Sequence, residues 1–177
     1  MARTWIIALS ICVCGVYLGH SIGVRALFHQ DVYMVKKVID GDTINVSKGI
    51  FGKTYTVRLL GINAPESVDP RKRVECFGKE ASVFLKHRLI KGTFVYLASD
   101  TEKSDTDKYG RLLRYVFTKD SNSTWRLINK EIVSLGYAFE ESFGEPYQLR
   151  VYIEYVENDA KAFKRGLWGI EGCKAAW

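Results

Sequence analysis

The segment Val57-Arg58-Leu59-Leu60-Gly61-Ile62-Asn63-Ala64-Pro65-Glu66 decides how this chain is organised. Its first half predicts a strand, because Tyr55, Val57 and Leu59 alternate with polar residues in the period-two pattern of a half-buried sheet. A glycine and a proline then interrupt the pattern, and a strand ladder does not continue through them. The sequence therefore places an arginine on a strand, and an amide and a carboxylate on the turn that follows.

Two further strands are predicted just upstream, over residues 33–39 and 43–46. Asp40-Gly41-Asp42 separates them, and Asp-Gly between strands is a strong signal for a hairpin or a tight bend. Taken alone, these two aspartates therefore indicate a turn and nothing more. Three short strands in succession predict an antiparallel meander.

Downstream, hydrophobic periodicity predicts two more strands and three helices. The strands cover residues 93–98 and 111–117, and the helices cover residues 75–89, 125–135 and 147–165. Trp168, in the segment that closes the domain, is expected to fill the core. This order predicts an α+β, β-rich fold: a five-stranded OB-fold Greek-key barrel with three packed helices.

Length and composition indicate one globular domain. The chain has 177 residues, 47% of them hydrophobic and 26% charged, which excludes global disorder. We expect the domain to cover residues 31–169, followed by a C-terminal tail over residues 170–177. The net charge of +6 fits an anionic partner such as nucleic acid or a lipid surface, but it is also common in proteins that bind neither.

Residues 1–25 differ from the rest of the chain because residues 5–19 are almost wholly apolar. An apolar stretch that ends at Gly19 has the length of a signal-peptide core, whereas one that continues to Val24 just reaches the roughly 20 residues that span a bilayer. Both interpretations, a cleaved signal peptide and a retained membrane anchor, remain open. Either one predicts a secreted or membrane-anchored protein with its domain on the non-cytoplasmic side, and the retained anchor would add membrane contact through residues 5–24.

The four cysteines fall into two pairs. Cys12 and Cys14 lie inside the apolar stretch, where they act as small hydrophobic residues. Cys76 and Cys173 lie far apart in the domain, and in an exported protein a disulfide between them is expected to tie down the C-terminal tail. The alternative is a pair of unrelated buried thiols.

The polar residues of four stretches suit the hydrolysis of a phosphodiester. That reaction needs an activated water and neutralised phosphoryl oxygens, and a hard divalent cation held by oxygen ligands supplies part of both. Asp42, the side-chain oxygen of Asn63 and a nearby backbone carbonyl suit Ca²⁺. Glu66 is a candidate general base, and Arg58 is a candidate for bidentate hydrogen bonding to the phosphate oxygens. Each residue alone is commonplace.

A second phosphate-binding arginine is predicted on the last strand, where two candidates lie on opposite faces. Periodicity does not decide between Arg111 and Arg114, although Arg111 follows Gly110 at the mouth of a loop, where functional groups tend to lie.

The order of these residues resembles that of the staphylococcal nuclease, or thermonuclease, family. Five segments carry the resemblance, which runs from about residue 31 to residue 168: residues 38–43, 57–66, 77–81, 107–111 and 166–168. It implies an OB-type barrel and Ca²⁺-dependent cleavage of DNA and RNA, in which water attacks phosphorus, expels the 5′-oxygen and leaves 3′-phosphate ends.

The resemblance also implies roles for individual residues. The arginines that grip phosphate fall on Arg58 and Arg111, and the general base falls on Glu66. The metal ligands fall on Asp42, Asn63 and the carbonyl of Ala64, with Asp40 beside them, and the residues expected to contact the substrate are Lys108 and Tyr109. Tyr137 and Tyr147 are further candidates for stacking on nucleobases.

Asn63 departs from the family pattern, which has an aspartate at this position. An asparagine still offers an oxygen to Ca²⁺ but carries no charge, so we expect weaker binding of the cation. Three functions therefore compete. The first is a monomeric nuclease with little sequence preference, and the second is a catalytically weak or inactive nucleic-acid-binding OB-fold module at a membrane. The third is a membrane-tethered protein-interaction domain, which only the apolar N-terminal stretch supports.

Overall fold

The structure, a computed structural model, describes residues 31–71, 73–142, 146–169 and 173. The chain divides after residue 30, and all described residues belong to the second unit, Asp31–Trp177. The predicted signal or anchor over residues 1–25 lies outside the described residues, as does the tail over residues 170–177 apart from Cys173.

The described residues form eight strands and three α-helices. The strands are β1 (Asp31–Asp40), β2 (Thr43–Ser47), β3 (Thr54–Leu59), β4 (Ile62–Asn63), β5 (Phe94–Ala98), β6 (Leu112–Lys119), β7 (Trp125–Leu127) and β8 (Phe139–Glu140). The helices are α1 (Gly78–Arg88), α2 (Ile128–Ser134) and α3 (Arg150–Ala162), and a 3₁₀ turn, Gly166–Gly169, follows them.

Five of the strands close into a barrel, as predicted. Antiparallel pairing gives the order β3-β2-β1-β5-β6, and parallel pairing of β3 with β6 joins the two ends of that order. Fully buried side chains fill the interior from every barrel strand, among them Val35, Ile44, Val57, Val95 and Val116. The three helices pack around this barrel, and the α+β OB-fold architecture is therefore confirmed.

The predicted helix over residues 125–135 is wrong in its first three residues. Trp125–Leu127 forms strand β7, which pairs antiparallel with the end of β6, and the helix begins only at Ile128. A tight turn imposes this pairing, since the amide of Asp120 donates to the carbonyl of Thr124 (N···O 3.0 Å). Tertiary pairing with β6 thus outweighs the helical pattern of the segment.

Leu167, and not Trp168, fills the core at the end of the domain. Leu167 is 1% exposed, whereas Trp168 is half-buried with the ammonium of Lys161 4.6 Å from its ring centroid. A close approach of two backbone segments places Leu167 in the core, because the amide of Leu167 donates to the carbonyl of Gly136 at 2.9 Å. A Cβ at Gly166 would lie 2.2 Å from that same carbonyl oxygen, so the position requires glycine.

Cys76 and Cys173 form a disulfide, with their Cα atoms 5.4 Å apart. The bond joins Cys76, two residues before α1, to Cys173 across a sequence separation of 97. The prediction of this pairing is therefore confirmed, and the alternative of two separate thiols is wrong. None of the helices in the described ranges has the length and apolar character needed to cross a membrane.

Candidate active site

The β1–β2 turn and the β3–β4 segment meet at one end of the barrel. Gly41, between the two aspartates of the turn, allows this approach, since a Cβ there would lie 2.6 Å from the Cβ of Ala64. A groove of about 700 Å³ opens at this end. Most of the predicted site residues line it: Asp40, Asp42, Arg58, Asn63, Ala64, Glu66, Tyr109 and Arg111.

Asp42 lies at the centre of this groove and is only 7% exposed. One carboxylate oxygen, Oδ2, accepts a hydrogen bond from the amide of Ala64 at 2.9 Å and lies 3.2 Å from Nη1 of Arg58. The other, Oδ1, accepts one from the hydroxyl of Thr43 at 2.8 Å. These contacts hold the carboxylate of the β1–β2 turn against the β3–β4 segment.

Arg58 is a buried cation, 6% exposed, on strand β3. Its Nη1 donates to the carbonyl of Ile62 at 2.8 Å, and its Nη2 donates to Oδ1 of Asn63 at 2.9 Å. A buried guanidinium needs such partners, because an unpaired charge in the interior is strongly unfavourable. Arg58 therefore contacts the oxygens of both Asp42 and Asn63, which are the candidate metal ligands.

The carboxylate of Glu66 accepts hydrogen bonds from backbone amides of the residues that follow it. Oε1 of Glu66 accepts hydrogen bonds from the amides of Ser67, Val68 and Asp69 at 2.9, 2.8 and 3.0 Å. Burial acts to raise the pKa of Glu66, but these amides and a hydrogen bond from Asp40 outweigh it and lower the pKa below its usual range. The carboxylate is therefore ionised at neutral pH.

Asp40 shows the opposite shift. Burial is the main cause that raises the pKa of Asp40, with smaller contributions from the charge of Asp42 and the hydrogen bond to Glu66. Hydrogen bonds from the hydroxyl of Ser67 and from the amide of Gly41, at 2.5 and 2.8 Å, act against this rise. Of the two carboxyls, Asp40 is therefore the one that retains a proton to higher pH.

Arg111 lies on the loop before β6 and enters the groove, while Arg114 turns away from it. Asp107 holds Arg111 in place: its Oδ2 accepts from Nε of Arg111 at 2.6 Å, and its Oδ1 accepts from the backbone amides of Arg111 and Tyr109. Arg114 instead pairs with Asp105, with its Nη2 2.6 Å from Oδ1. Arg111 is therefore the arginine that shares a groove with Arg58.

A second groove of about 520 Å³ adjoins the first. Arg58, Tyr109 and Arg111 line both grooves and so mark their junction, whereas Lys108 lines only the second. The ring of Tyr109 is 72% exposed, and the guanidinium carbon of Arg111 lies 5.4 Å from its centroid. Tyr109 thus presents an aromatic face where the grooves meet.

The other two tyrosines expected to stack on nucleobases pack against aromatic and core residues of the protein. The ring of Tyr137 stacks on Phe84 and Phe77, with centroid distances of 4.5 and 5.2 Å. Tyr147 is 3% exposed, and its hydroxyl donates to the carbonyl of Gly61 at 3.1 Å. The ring of Tyr147 is therefore not available for a base, and this part of the prediction is wrong because the side chain belongs to the core. Tyr137 is half-buried, and its stacking on a base stays a prediction.

Three residues that position the site were not predicted. Asp107 orients Arg111 and was visible in the sequence only as part of the motif of residues 107–111. Glu75 accepts a hydrogen bond from the amide of Glu66 at 2.8 Å. Asn129, fully buried, donates to the carbonyl of Leu60 at 2.9 Å and accepts from an amide of β6. No local pattern marks either of the last two.

The candidate metal ligands are all oxygens, which suits a hard cation such as Ca²⁺. They comprise one carboxylate, on Asp42, together with the amide oxygen of Asn63 and the carbonyl of Ala64. Across the described parts of the chain, no three Asp, Glu, His or Cys side chains are grouped so that they could hold a metal ion. The donor set therefore fits a hard cation in its chemistry but carries little negative charge.

Comparison with known proteins assigns the chain to a family. The chain is 33% identical to the thermonuclease of Staphylococcus hyicus over 79% of its own length and 77% of that protein. It is 34% identical to the thermonuclease of Staphylococcus intermedius over 77% and 75% of the two chains. Endonuclease YncB of Bacillus subtilis is 33% identical over 77% of this chain and 61% of its own. The profile of the family described as Staphylococcal nuclease homologue matches residues 56–169, and the chain belongs to this family.

Proposed function

We propose that this nuclease is a Ca²⁺-dependent phosphodiesterase that hydrolyses DNA and RNA with little sequence preference. One observation carries the proposal. Arg58 and Arg111, from separate elements, lie at the junction of two grooves, and Glu66 lines one of them with an ionised carboxylate. Two guanidiniums beside a carboxylate base suit a phosphodiester anion and an attacking water.

The arginines have different tasks in this proposal. Arg58 is buried and fixed by carbonyls of its own segment, so it offers a rigid donor for a phosphoryl oxygen. Arg111 is more exposed, and Asp107 holds only its Nε side in the contacts described above. Its guanidinium is therefore oriented to place donors on the phosphate from the solvent side of the groove.

Glu66 is proposed as the general base. The three amides that donate to Oε1 stabilise its ionised form, and Asp40 adds a hydrogen bond to the same carboxyl. An ionised carboxylate within the groove takes a proton from the attacking water. The proposed products carry 3′-phosphate ends, because water replaces the 5′-oxygen of the leaving strand.

Asp42, Asn63 and the carbonyl of Ala64 would hold the cation. A hard divalent ion supplies neutralisation of phosphoryl charge and acidification of water when it is bound in such a site. Arg58 contacts the oxygens of both Asp42 and Asn63, so the protein keeps these two ligands in place without the ion.

Low sequence preference follows from the kind of groups present. Guanidiniums grip phosphates, which carry no sequence information, and the exposed ring of Tyr109 stacks on any base. Lys108 in the second groove adds positive charge along the path of the backbone.

Export is part of the proposal. The apolar residues 5–24 supply a signal or an anchor, and the Cys76–Cys173 disulfide suits an oxidising compartment. We therefore propose that the protein acts as a monomer that is secreted or anchored with its domain on the non-cytoplasmic side.

The test is cleavage of single-stranded DNA and of RNA by the purified chain, with Ca²⁺ and with a chelator, followed by analysis of the product ends. We expect cleavage of both polymers only with the cation, and 3′-phosphate termini. Binding of DNA without cleavage under all cation conditions would instead support the non-catalytic binding module.

A further inference from the structure

The end of the barrel opposite the active site carries an unusual hairpin. β1 and β2 pair Asp40 with Thr43 beside the site and Met34 with Ser47 far from it. About 20 Å of strand separates Met34 from Asp40 at the usual rise of about 3.3 Å per residue. The turn between β2 and β3, residues 48–53, therefore projects away from the groove that holds Glu66.

This turn presents apolar side chains to solvent. Its sequence is Lys48-Gly49-Ile50-Phe51-Gly52-Lys53, and Phe51 is 100% exposed while Ile50 is 66% exposed. Gly49 has a φ of +79°, which lets the chain turn tightly and leave the two apolar residues at the tip. Exposure of an adjacent aliphatic and aromatic pair is unfavourable in water and points to a partner.

Neighbouring elements extend this surface. The ammonium of Lys36 on β1 donates to the carbonyl of Ile50 at 3.0 Å, which ties the turn to the outer face of the barrel. On the same face, Met34 pairs in register with Phe94 of β5, which is 63% exposed. Ile90, 62% exposed, precedes β5 in the turn that pairs with β1. We call Ile50, Phe51, Ile90, Phe94 and the lysines around them the tip surface.

The charge of the tip surface has one sign. Residues 32–37, 46–55 and 86–96, which contain the tip surface and the strand residues next to it, contain no aspartate or glutamate. The same residues contain six lysines: Lys36, Lys37, Lys48, Lys53, Lys86 and Lys91. Arg88 is also present, and it pairs with Glu131 of α2. Apolar tips surrounded by lysines match the boundary between acyl chains and anionic headgroups, where long cationic side chains reach the headgroups while apolar residues enter below them.

We propose that the tip surface docks on an anionic lipid bilayer. Lipid is favoured over nucleic acid because the most exposed groups are an isoleucine and a phenylalanine at a projecting turn, whereas nucleic acid needs a groove that follows its backbone. Docking through residues 48–53 holds the opposite end of the barrel, with Arg58 and Glu66, away from the lipid and open to a substrate in solution. This inference does not depend on the proposed catalysis.

Hydrogen–deuterium exchange of the full chain tests the proposal. It is measured without vesicles, with phosphatidylcholine vesicles, with vesicles that also contain phosphatidylserine, and with single-stranded DNA in the presence of a chelator. We expect slower exchange at residues 48–53 only with the phosphatidylserine vesicles, and loss of this protection in Ile50→Ser/Phe51→Ser. Because exchange is measured at residues 48–53 themselves, docking of the tip surface is distinguished from attachment to the vesicle through residues 5–24.

Val151→Ser/Tyr155→Ser is the matched control, because these α3 residues are 80% and 69% exposed and lie outside the tip surface. It should retain the protection, and both double variants should keep the unfolding transition and nuclease activity of the natural chain. Vesicle binding without protection of residues 48–53 would overturn the proposal. Protection by DNA and not by vesicles would overturn it in favour of a nucleic-acid surface.

Discussion

Glu66 and Glu75 hold each other through two reciprocal hydrogen bonds. The amide of Glu66 donates to Oε2 of Glu75, and the amide of Glu75 donates to the carbonyl of Glu66, both at 2.8 Å. These bonds close the loop between them at its base. Gly78 completes the closure, since a Cβ there would lie 2.6 Å from the carbonyl oxygen of Glu66. The backbone that presents the candidate base is thus fixed against the start of α1.

The first prediction concerns Glu75 as a positioning residue. Glu75→Ala removes the acceptor for the Glu66 amide, and we expect kcat to fall about tenfold with little change in KM, because a lost hydrogen bond to a charged group costs about 1.5 kcal/mol. Glu75→Gln keeps an oxygen acceptor and should restore most of the rate. Steady-state kinetics on single-stranded DNA measures both, and equal losses in the two variants would contradict the positioning role.

The second prediction compares two neighbouring arginines. Arg111→Lys replaces a planar fork that lines both grooves with a single ammonium, and we expect kcat/KM to fall about 100-fold. Arg114→Lys is the matched control, because Arg114 pairs with Asp105 outside the grooves, and its kcat/KM should stay within about threefold of the natural value. Equal effects of the two substitutions would contradict the assignment of Arg111.

The third prediction concerns the cation. Asn63→Asp adds a negative oxygen ligand beside Asp42, so Ca²⁺ should bind more tightly than to the natural chain, by about tenfold. Isothermal calorimetry with Ca²⁺ alone measures this directly. Asn45→Asp, in the same groove but outside the candidate ligand set, controls for added charge. No gain in affinity for Asn63→Asp would show that Asn63 is not a ligand.

The fourth prediction follows from the lowered pKa of Glu66. An ionised base is needed for catalysis, so kcat/KM should fall as the pH drops through the pKa of Glu66, below the usual range for a glutamate. The same lowered pKa contributes stability that is present above the usual range and is lost as the pH falls through the folded-state value. A profile of kcat/KM against pH at saturating Ca²⁺ measures this fall. If kcat/KM already falls at a pH at or above the usual pKa range of a glutamate, the lowered pKa of Glu66 is contradicted.

Local sequence patterns predicted the barrel because its strands are short, alternate clearly and end at strong turn signals. Asp40-Gly41-Asp42 turns the chain where expected, whereas Asn63, which the sequence placed on a turn, lies on strand β4 and pairs with Phe139 of β8. The sequence failed at Trp125, where pairing with β6 outweighs a helical pattern, and at Trp168, where backbone contact with Gly136 buries the neighbouring Leu167 instead.

The site was predictable where a residue belongs to a recognised motif and not where it acts through a distant partner. Arg58, Glu66 and Arg111 follow from motifs, and the structure brings all three to one groove. Glu75 and Asn129 are different, since their contacts join segments that only the closed barrel brings together. Periodicity and spacing carry no information about such contacts.

The central claim is that Glu66 is the base of a cation-dependent nuclease. It is tested most directly by single-turnover cleavage of a single-stranded DNA oligonucleotide with Ca²⁺, for the natural chain, Glu66→Gln and the exposed helix control Glu80→Gln. We predict a rate loss of about 10²–10⁴-fold in Glu66→Gln with an unchanged unfolding transition, and a natural rate in Glu80→Gln. Cleavage by Glu66→Gln at the natural rate would show that Glu66 is not the base.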